Sequence, residues 1–203
     1  MSRYRGPRLR IVRRLGELPG LTKKISKKRN APGELHAENQ KKLSQYNLQL
    51  REKQKLRFNY GINEKQLINY VKKSRKGKES SGRFLLTLLE MRLDTIILRL
   101  GLAPTIMAAR QIISHKHILV NEKCVNIPSY QCIPNDMIAI RNSIKSRSLI
   151  EKNKESLNEK NIASHLIFNT SLIKAKINSI VNRNSIPLKI NELLVIEFYS
   201  RKI

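Results

Sequence analysis

The sequence predicts an α+β protein, in which a mostly helical part precedes a small module of two helices and short β-hairpins. Two observations predict this class. Residues 34–59 contain neither proline nor glycine and are rich in Gln, Glu, Lys and Leu, which is typical of helices. After residue 117 the apolar residues change from a helical period to alternation, which is typical of strands. With 40% hydrophobic residues among 203, the chain can bury the core of one domain or of two small ones.

The chain begins with the basic stretch RYRGPRLRIVRRLG, which contains six arginines and no carboxylate. Such a start could be an organelle transit peptide, a solvated tail or an arm that lies along a polyanion. Gly6-Pro7 and Pro19-Gly20 interrupt the continuous helix that a transit peptide needs, and the apolar residues among the arginines favour burial over a solvated tail. We therefore expect residues 1–30 to form a basic arm that becomes ordered on its polyanionic partner.

The charge of the whole chain supports the same partner. Lys and Arg number 41 against 15 Asp and Glu, so the formal net charge is +26. Nucleic acid phosphate is the commonest partner that neutralises such a charge, and an anionic membrane surface is the rival. Asp94 and Arg99 interrupt the richest apolar run, which excludes a membrane-spanning segment. We expect a nucleic acid partner, and neither a membrane nor a small-molecule substrate.

Residues 34–59 are the first predicted helix. Asn63 and Gln66 have the spacing of a capping box, which predicts that a second helix begins there. Residues 71–83 follow with six basic residues and one acidic residue among Gly and Ser, so they are predicted to be a basic linker.

The module itself begins with residues 84–91, a predicted buried helix. Asp94 is predicted to cap the next helix, which ends at Gly101, and Thr105 to open a third that runs to Ser114. The predicted strands are residues 118–120, 124–127 and 137–140, with turns at residues 121–122 and 134–136. A module of this size suits a binding surface better than a catalytic cleft.

Patterns that would indicate catalysis are missing from the sequence. It has no glycine-rich phosphate loop, no nucleophile elbow and no paired carboxylates. Cys124 and Cys132 are too few for a zinc site or a disulfide framework and are expected to be small apolar side chains in strands. His115 and His117 lack metal-ligand spacing and are interpreted as RNA-facing donors. We expect no enzyme activity, no cofactor and no metal.

The stretch EMRLDTIILRLGLAPTIMAARQIISHKHILVNEKCVNIPSY resembles the RNA-binding module named after small-subunit ribosomal protein four. The opening MSRYRGPRLRIVRRLGELPGLT and the ending LKINELLVIEFYSRKI are similar to the two ends of the plastid members of that family. The sequence departs from the family pattern at Glu122 and Asn135, where glycine is usual, and in a divergent stretch from about residue 151 to 184.

The resemblance implies a division of the chain into a basic arm (1–30), a helical domain (31–90, completed by 185–203), an inserted RNA-binding domain (91–150) and a divergent segment (151–184). It implies that rRNA faces the end of the third module helix. The expected rRNA-binding residues are Arg3, Tyr4, Arg5, Arg8, Arg10, Arg13, Arg14, Lys72, Lys73, Arg75, Arg92, Thr105, Arg110, Gln111, Ser114, His115, Lys116 and Asn121. The residues expected at a protein interface are Glu197, Tyr199 and Ser200.

The function implied is that of a structural constituent of the plastid small ribosomal subunit. Such a protein would bind small-subunit rRNA early, nucleate assembly of the subunit body, and contribute to translational accuracy with neighbouring proteins, including number five. Two alternatives stay open. A stand-alone RNA chaperone or regulator could use the same module, and an RNA-modifying enzyme would need a catalytic domain that the sequence lacks.

Overall fold

The computed structural model describes residues 4–28, 30–33, 44–77, 79–154, 163–169 and 173–200. The chain divides into two compact units, and the boundary between them is crossed twice along the sequence. Residues 1–86 and 187–203 form the first unit, and residues 87–186 form the second, inserted unit. Arg3 and the first part of the helix predicted over residues 34–59 lie outside the described residues.

The first unit is helical. Its elements are α1 (Arg8–Leu15), α2 (Gln45–Asn59), α3 (Glu64–Arg75), the beginning of α4 (Ser81–Glu90) and α8 (Glu192–Ser200). α8 packs against both α2 and α3, and α1 packs against α2. The core includes the fully buried Leu56 of α2 and the fully buried Leu67 and Val71 of α3, which are four residues apart on one face of their helix.

Local capping explains where two of these helices begin. The Asn63 side chain accepts a hydrogen bond from the Gln66 backbone N–H, and the Gln66 side chain accepts one from the Asn63 N–H. This capping box confirms the helix start predicted from the sequence. At α2 the Ser44 side chain accepts a hydrogen bond from the Asn47 N–H.

The inserted unit combines helices with a five-stranded antiparallel sheet. Its helices are the end of α4, α5 (Leu93–Arg99), α6 (Ile106–Ser114) and α7 (Ile144–Lys154). Its strands are β1 (Ile118–Val120), β2 (Lys123–Cys124), β3 (Met137–Ile140), β4 (Leu166–Asn169) and β5 (Lys174–Ile177), in the spatial order β2-β1-β3-β5-β4. A 3-10 turn at Arg183–Ser185 follows. The predicted α+β class is confirmed.

One prediction about the sheet needs correction. The second strand was expected over residues 124–127, but only Lys123–Cys124 pair with β1. The fold of residues 151–184 was not predicted from the sequence; β4 and β5 lie there, and β5 pairs with β3. Lysine and apolar residues alternate in Lys174–Ile177, and this pattern would have predicted β5.

None of the helices in the described part of the chain has the length and hydrophobicity of a bilayer-spanning segment. Within the same residues, no cluster of three His, Cys, Asp or Glu side chains could hold a metal ion.

Candidate nucleic-acid interface

A buried Asp94 joins two arginines beneath the start of α5. Its carboxylate is fully buried and accepts hydrogen bonds from Arg92 Nε at 3.0 Å and Arg92 Nη2 at 2.8 Å. Arg110 Nε, from α6, lies 2.7 Å from Asp94 Oδ2. A carboxylate removed from water needs such charge-assisted partners, so the three side chains act together as a structural cluster.

This cluster corrects three predictions. Asp94 does not cap α5, because the first N–H groups of the helix donate to the carbonyls of Tyr130 and Pro128 instead. Arg92 is 2% exposed, which removes it from the set of residues that can contact RNA. Arg110 does not point freely outward, because its guanidinium is paired with a buried carboxylate and its side chain is only 14% exposed.

The end of α6 presents polar side chains above an apolar core. Thr105 caps the helix, and its side chain accepts a hydrogen bond from the Ala108 N–H, as the sequence predicted. Ile112 and Ile113 are buried, while the four residues at the end of the helix that were expected to face RNA are exposed. These four residues are Gln111, Ser114, His115 and Lys116.

The chain leaves α6 through a sharp turn. Lys116 has a φ of 62°, a left-handed backbone conformation, and lies two residues before the start of β1. The nearby His117 is half-buried, and its Nδ1 lies 2.8 Å from the Ser146 hydroxyl of α7. His117 Nδ1 is therefore engaged inside the unit, while His115 is exposed, and the interpretation of the two as RNA-facing donors stays a prediction.

The hairpin turn between β1 and β2 is fixed by Asn121. Asn121 and Glu122 have φ values of 48° and 66°, the left-handed pair of a type I′ turn. The Asn121 Nδ2 donates to Asp136 Oδ1 at 2.8 Å, and the Met137 N–H donates to Asn121 Oδ1 at 2.8 Å. Asn121 thus joins this turn to the one that precedes β3, where Asn135 also has a positive φ of 73°.

Cys132, four residues before Asp136, is buried. Burial raises the pKa of its thiol to about 12, and the Asp136 and Asp94 charges act in the same direction. Both cysteines were expected in strands: Cys124 lies in β2 and is exposed, whereas the buried Cys132 lies outside the strands.

The basic arm folds onto its own unit. Arg8–Leu15 is helical between the Gly6-Pro7 and Gly16 breakers. Three of its arginines donate to backbone carbonyls: Arg8 to Leu21 at 3.3 Å, Arg13 to Asn30 at 2.8 Å and Arg14 to Pro32 at 3.5 Å. These contacts hold α1 on the first unit, and the expectation that the arm becomes ordered on its polyanionic partner stays a prediction.

The surroundings of α1 remain strongly basic. Arg5, Arg8, Arg10 and Arg14 are exposed. The residues that follow the helix enclose a cleft of about 670 Å³, lined by apolar side chains of the arm and by Lys23, Lys24, Lys55 and Lys189. Tyr4 is 47% exposed, and the edge of its ring contacts Phe58, with the ring centroids 5.5 Å apart.

The two remaining groups of predicted site residues lie on helices of the first unit. Lys72 and Lys73 are exposed in the last turn of α3, and Arg75 is half-buried there. On α8, Glu197 and Ser200 are exposed, but Tyr199 is 1% exposed, and its hydroxyl donates to Glu64 Oε1 at 2.6 Å. Tyr199 therefore cannot form part of a protein interface, which corrects that prediction.

Comparisons with known proteins cover both units. The family model for the "Ribosomal protein S4/S9 N-terminal domain" matches residues 3–90, and the model for the "S4 domain" matches residues 91–138. The chain is 60% identical to Small ribosomal subunit protein uS4c of Euglena gracilis over 205 residues. It is 57% identical to uS4c of Leucodon sciuroides and 54% identical to Small ribosomal subunit protein uS4 of Nostoc punctiforme, both over 202 residues. Each alignment covers 100% of both chains.

Proposed function

Because the chain belongs to the ribosomal protein S4 family, we propose that it binds small-subunit rRNA directly and nucleates assembly of the subunit body. It is a structural constituent of the small ribosomal subunit and not an enzyme. Its relatives named uS4c, the plastid type, place it in the plastid, and it is also similar over its full length to a cyanobacterial uS4.

The observation that carries the proposal is the exposed polar end of α6. Gln111, Ser114, His115 and Lys116 offer hydrogen-bond donors and a positive charge there, above the buried Ile112 and Ile113. Donors fixed at a rigid helix end can match the spacing of phosphate and sugar groups on folded RNA, and such contacts do not depend on the base sequence. Within the inserted unit, this surface is the proposed RNA contact.

The basic arm supplies a second proposed contact. Its exposed arginines (Arg5, Arg8, Arg10 and Arg14) would replace counterions on rRNA phosphates, and the release of those counterions favours binding. Lys72 and Lys73 at the end of α3 add charge to the same unit. The two contact surfaces, one in each unit, would let a single protein hold separate segments of rRNA.

The end of α8 is proposed to contact a neighbouring small-subunit protein, number five, and so to influence translational accuracy. Glu197 and Ser200 are its exposed polar residues. Glu197 also accepts a hydrogen bond from Gln49 Nε2 at 3.0 Å, which holds its carboxylate in place on the surface of the first unit.

A direct test uses the purified chain and transcribed small-subunit rRNA without other proteins. We expect specific binding that resists competition by an equal mass of large-subunit rRNA. Replacing Arg5, Arg10 and Arg14 with Gln should reduce the slope of log affinity against log salt by about 2 to 3 units, because each lost phosphate contact contributes about 0.7 to 0.9.

The matched control replaces the same three arginines with Lys, which keeps the charge and should keep the slope. Binding that requires other ribosomal proteins would contradict a role in nucleating assembly. Failure to co-sediment with small subunits at high salt would favour the stand-alone chaperone.

A further inference from the structure

One face of the five-stranded sheet is open to solvent. Met137 of β3 lies opposite Lys176 of β5, which lies opposite Ile167 of β4. Directly opposed residues of antiparallel strands point to the same side, so these three form one row on one face. All three are exposed, whereas their neighbours Ile138 and Ala175 are buried on the other side.

A second row on the same face adds another positive charge. Leu119 lies opposite Ala139, which lies opposite Lys174. Because a strand rises about 3.3 to 3.4 Å per residue, Lys174 and Lys176 are separated by about 6.7 Å along one face. That separation is similar to the distance between successive phosphates along a polynucleotide strand.

A groove of about 600 Å³ runs over this face. Lys174 lines it together with Arg147, an exposed residue of α7, while Lys176 lies on the same face outside the groove. Among the described residues of the lining, Glu122 is the acidic one and none is aromatic, so the chemistry of this part of the groove fits sugar and phosphate groups better than a stacked base.

The groove belongs to the same unit as the proposed RNA contact at the end of α6. Asn121, one of the residues expected to bind rRNA, lines the groove, and β1 connects its turn to the segment that contains Lys116. We propose that the open face of the sheet, with Lys174, Lys176 and Arg147 as its cations, binds the backbone of a single strand of rRNA. This extends the RNA contact onto the two strands of the divergent segment, and it rests on the proposed function.

The test compares two double variants of the full chain on transcribed small-subunit rRNA. Replacing Lys174 and Lys176 with Gln should reduce the slope of log affinity against log salt by about 1.4 units, since each contact with a single strand contributes about 0.7. Lys65 and Lys145 are also exposed, but they lie on the helices α3 and α7 and not on the open face of the sheet. Their double Gln variant removes the same charge and should leave the slope unchanged.

The Lys-to-Arg double variant at positions 174 and 176 should retain the full slope, which separates lost charge from misfolding. An unchanged slope in the Gln variant, or an equal decrease in the control pair, would overturn the proposal while leaving the proposed function standing. If the Gln variant bound RNA normally but was lost from assembled subunits, the face would bind an acidic protein instead, and the proposal would also fail. Absence of rRNA binding by the unaltered chain would overturn both.

Discussion

The Asp94 carboxylate pairs with two arginines instead of capping a helix. The carboxylate is fully buried and is shared between Arg92 and Arg110. Replacing Asp94 with Asn removes the negative charge and leaves two guanidinium groups close together. We expect the free energy of unfolding to fall by about 3 to 5 kcal/mol, as for other buried ion pairs that lose one partner. Urea unfolding followed by circular dichroism measures this loss.

Glu17→Gln is the matched control, because it removes the same charge from an exposed side chain and should change stability by less than about 0.5 kcal/mol. A loss below about 1 kcal/mol for Asp94→Asn would mean that the two arginines do not need the carboxylate charge to be stable in the folded protein. Asp94 would then not be the structural centre of the cluster.

The hairpin turn gives a second prediction at the residue scale. Glu122 has a φ of 66°, a conformation that glycine adopts without the steric conflict of a Cβ atom. Glu122→Gly should therefore raise the free energy of unfolding by about 0.5 to 1 kcal/mol. Asn121→Gly in the same turn serves as the contrast. It should destabilise the protein, because it removes the hydrogen bonds to Asp136 and Met137. Equal effects of the two substitutions would mean that backbone conformation alone determines the stability of the turn.

At the scale of elements, the contact between α3 and α8 includes a polar pair, in which the Tyr199 hydroxyl of α8 donates to Glu64 of α3. Burial by itself would raise the pKa of Glu64, but the hydrogen bond from Tyr199 and the charge of Lys53 lower it overall. The Lys53 ammonium lies 3.2 Å from Glu64 Oε1. Tyr199→Phe should destabilise the first unit by about 1.5 to 3 kcal/mol, because it removes a hydrogen bond to a charged group.

This effect depends on pH in a defined direction. Since the folded pKa of Glu64 is lowered, its stabilisation is present above the unfolded value of 4.5 and is lost as the pH falls through the folded value. The difference in stability between the unaltered protein and Tyr199→Phe should shrink over that acidic range. Tyr46→Phe, at an exposed position of α2, is the control and should show no such dependence. A difference that stays constant down to the acid transition would remove Glu64 from the explanation.

The elements also show what the sequence can and cannot predict. Caps with short-range signatures, at Asn63 and Thr105, were found because one side chain and the backbone three residues later define them. The start of α5 was misplaced because its N–H groups bond to a loop more than 30 residues further along the chain. Arg92, Arg110 and Tyr199 were assigned to surfaces for the same reason. Arg110 and Tyr199 bond to partners 16 and 135 residues away, and Arg92, although its carboxylate partner is two residues away, also forms a bridge with the distant Gln131. Composition carries no information about such contacts.

At the scale of the whole molecule, the net charge of +26 should oppose folding when no RNA is bound. Many of the lysines and arginines are exposed, so salt screens their mutual repulsion, whereas the buried Asp94 pairs are screened much less. We therefore expect the melting temperature of the free protein to rise as KCl is increased from about 0.02 to 0.3 M, over which the Debye length falls severalfold. Differential scanning fluorimetry measures the shift, and sucrose at equal osmolality is the uncharged control. A melting temperature that falls with KCl would show that surface ion pairs outweigh the repulsion, and the +26 charge would then not limit the stability of the free protein.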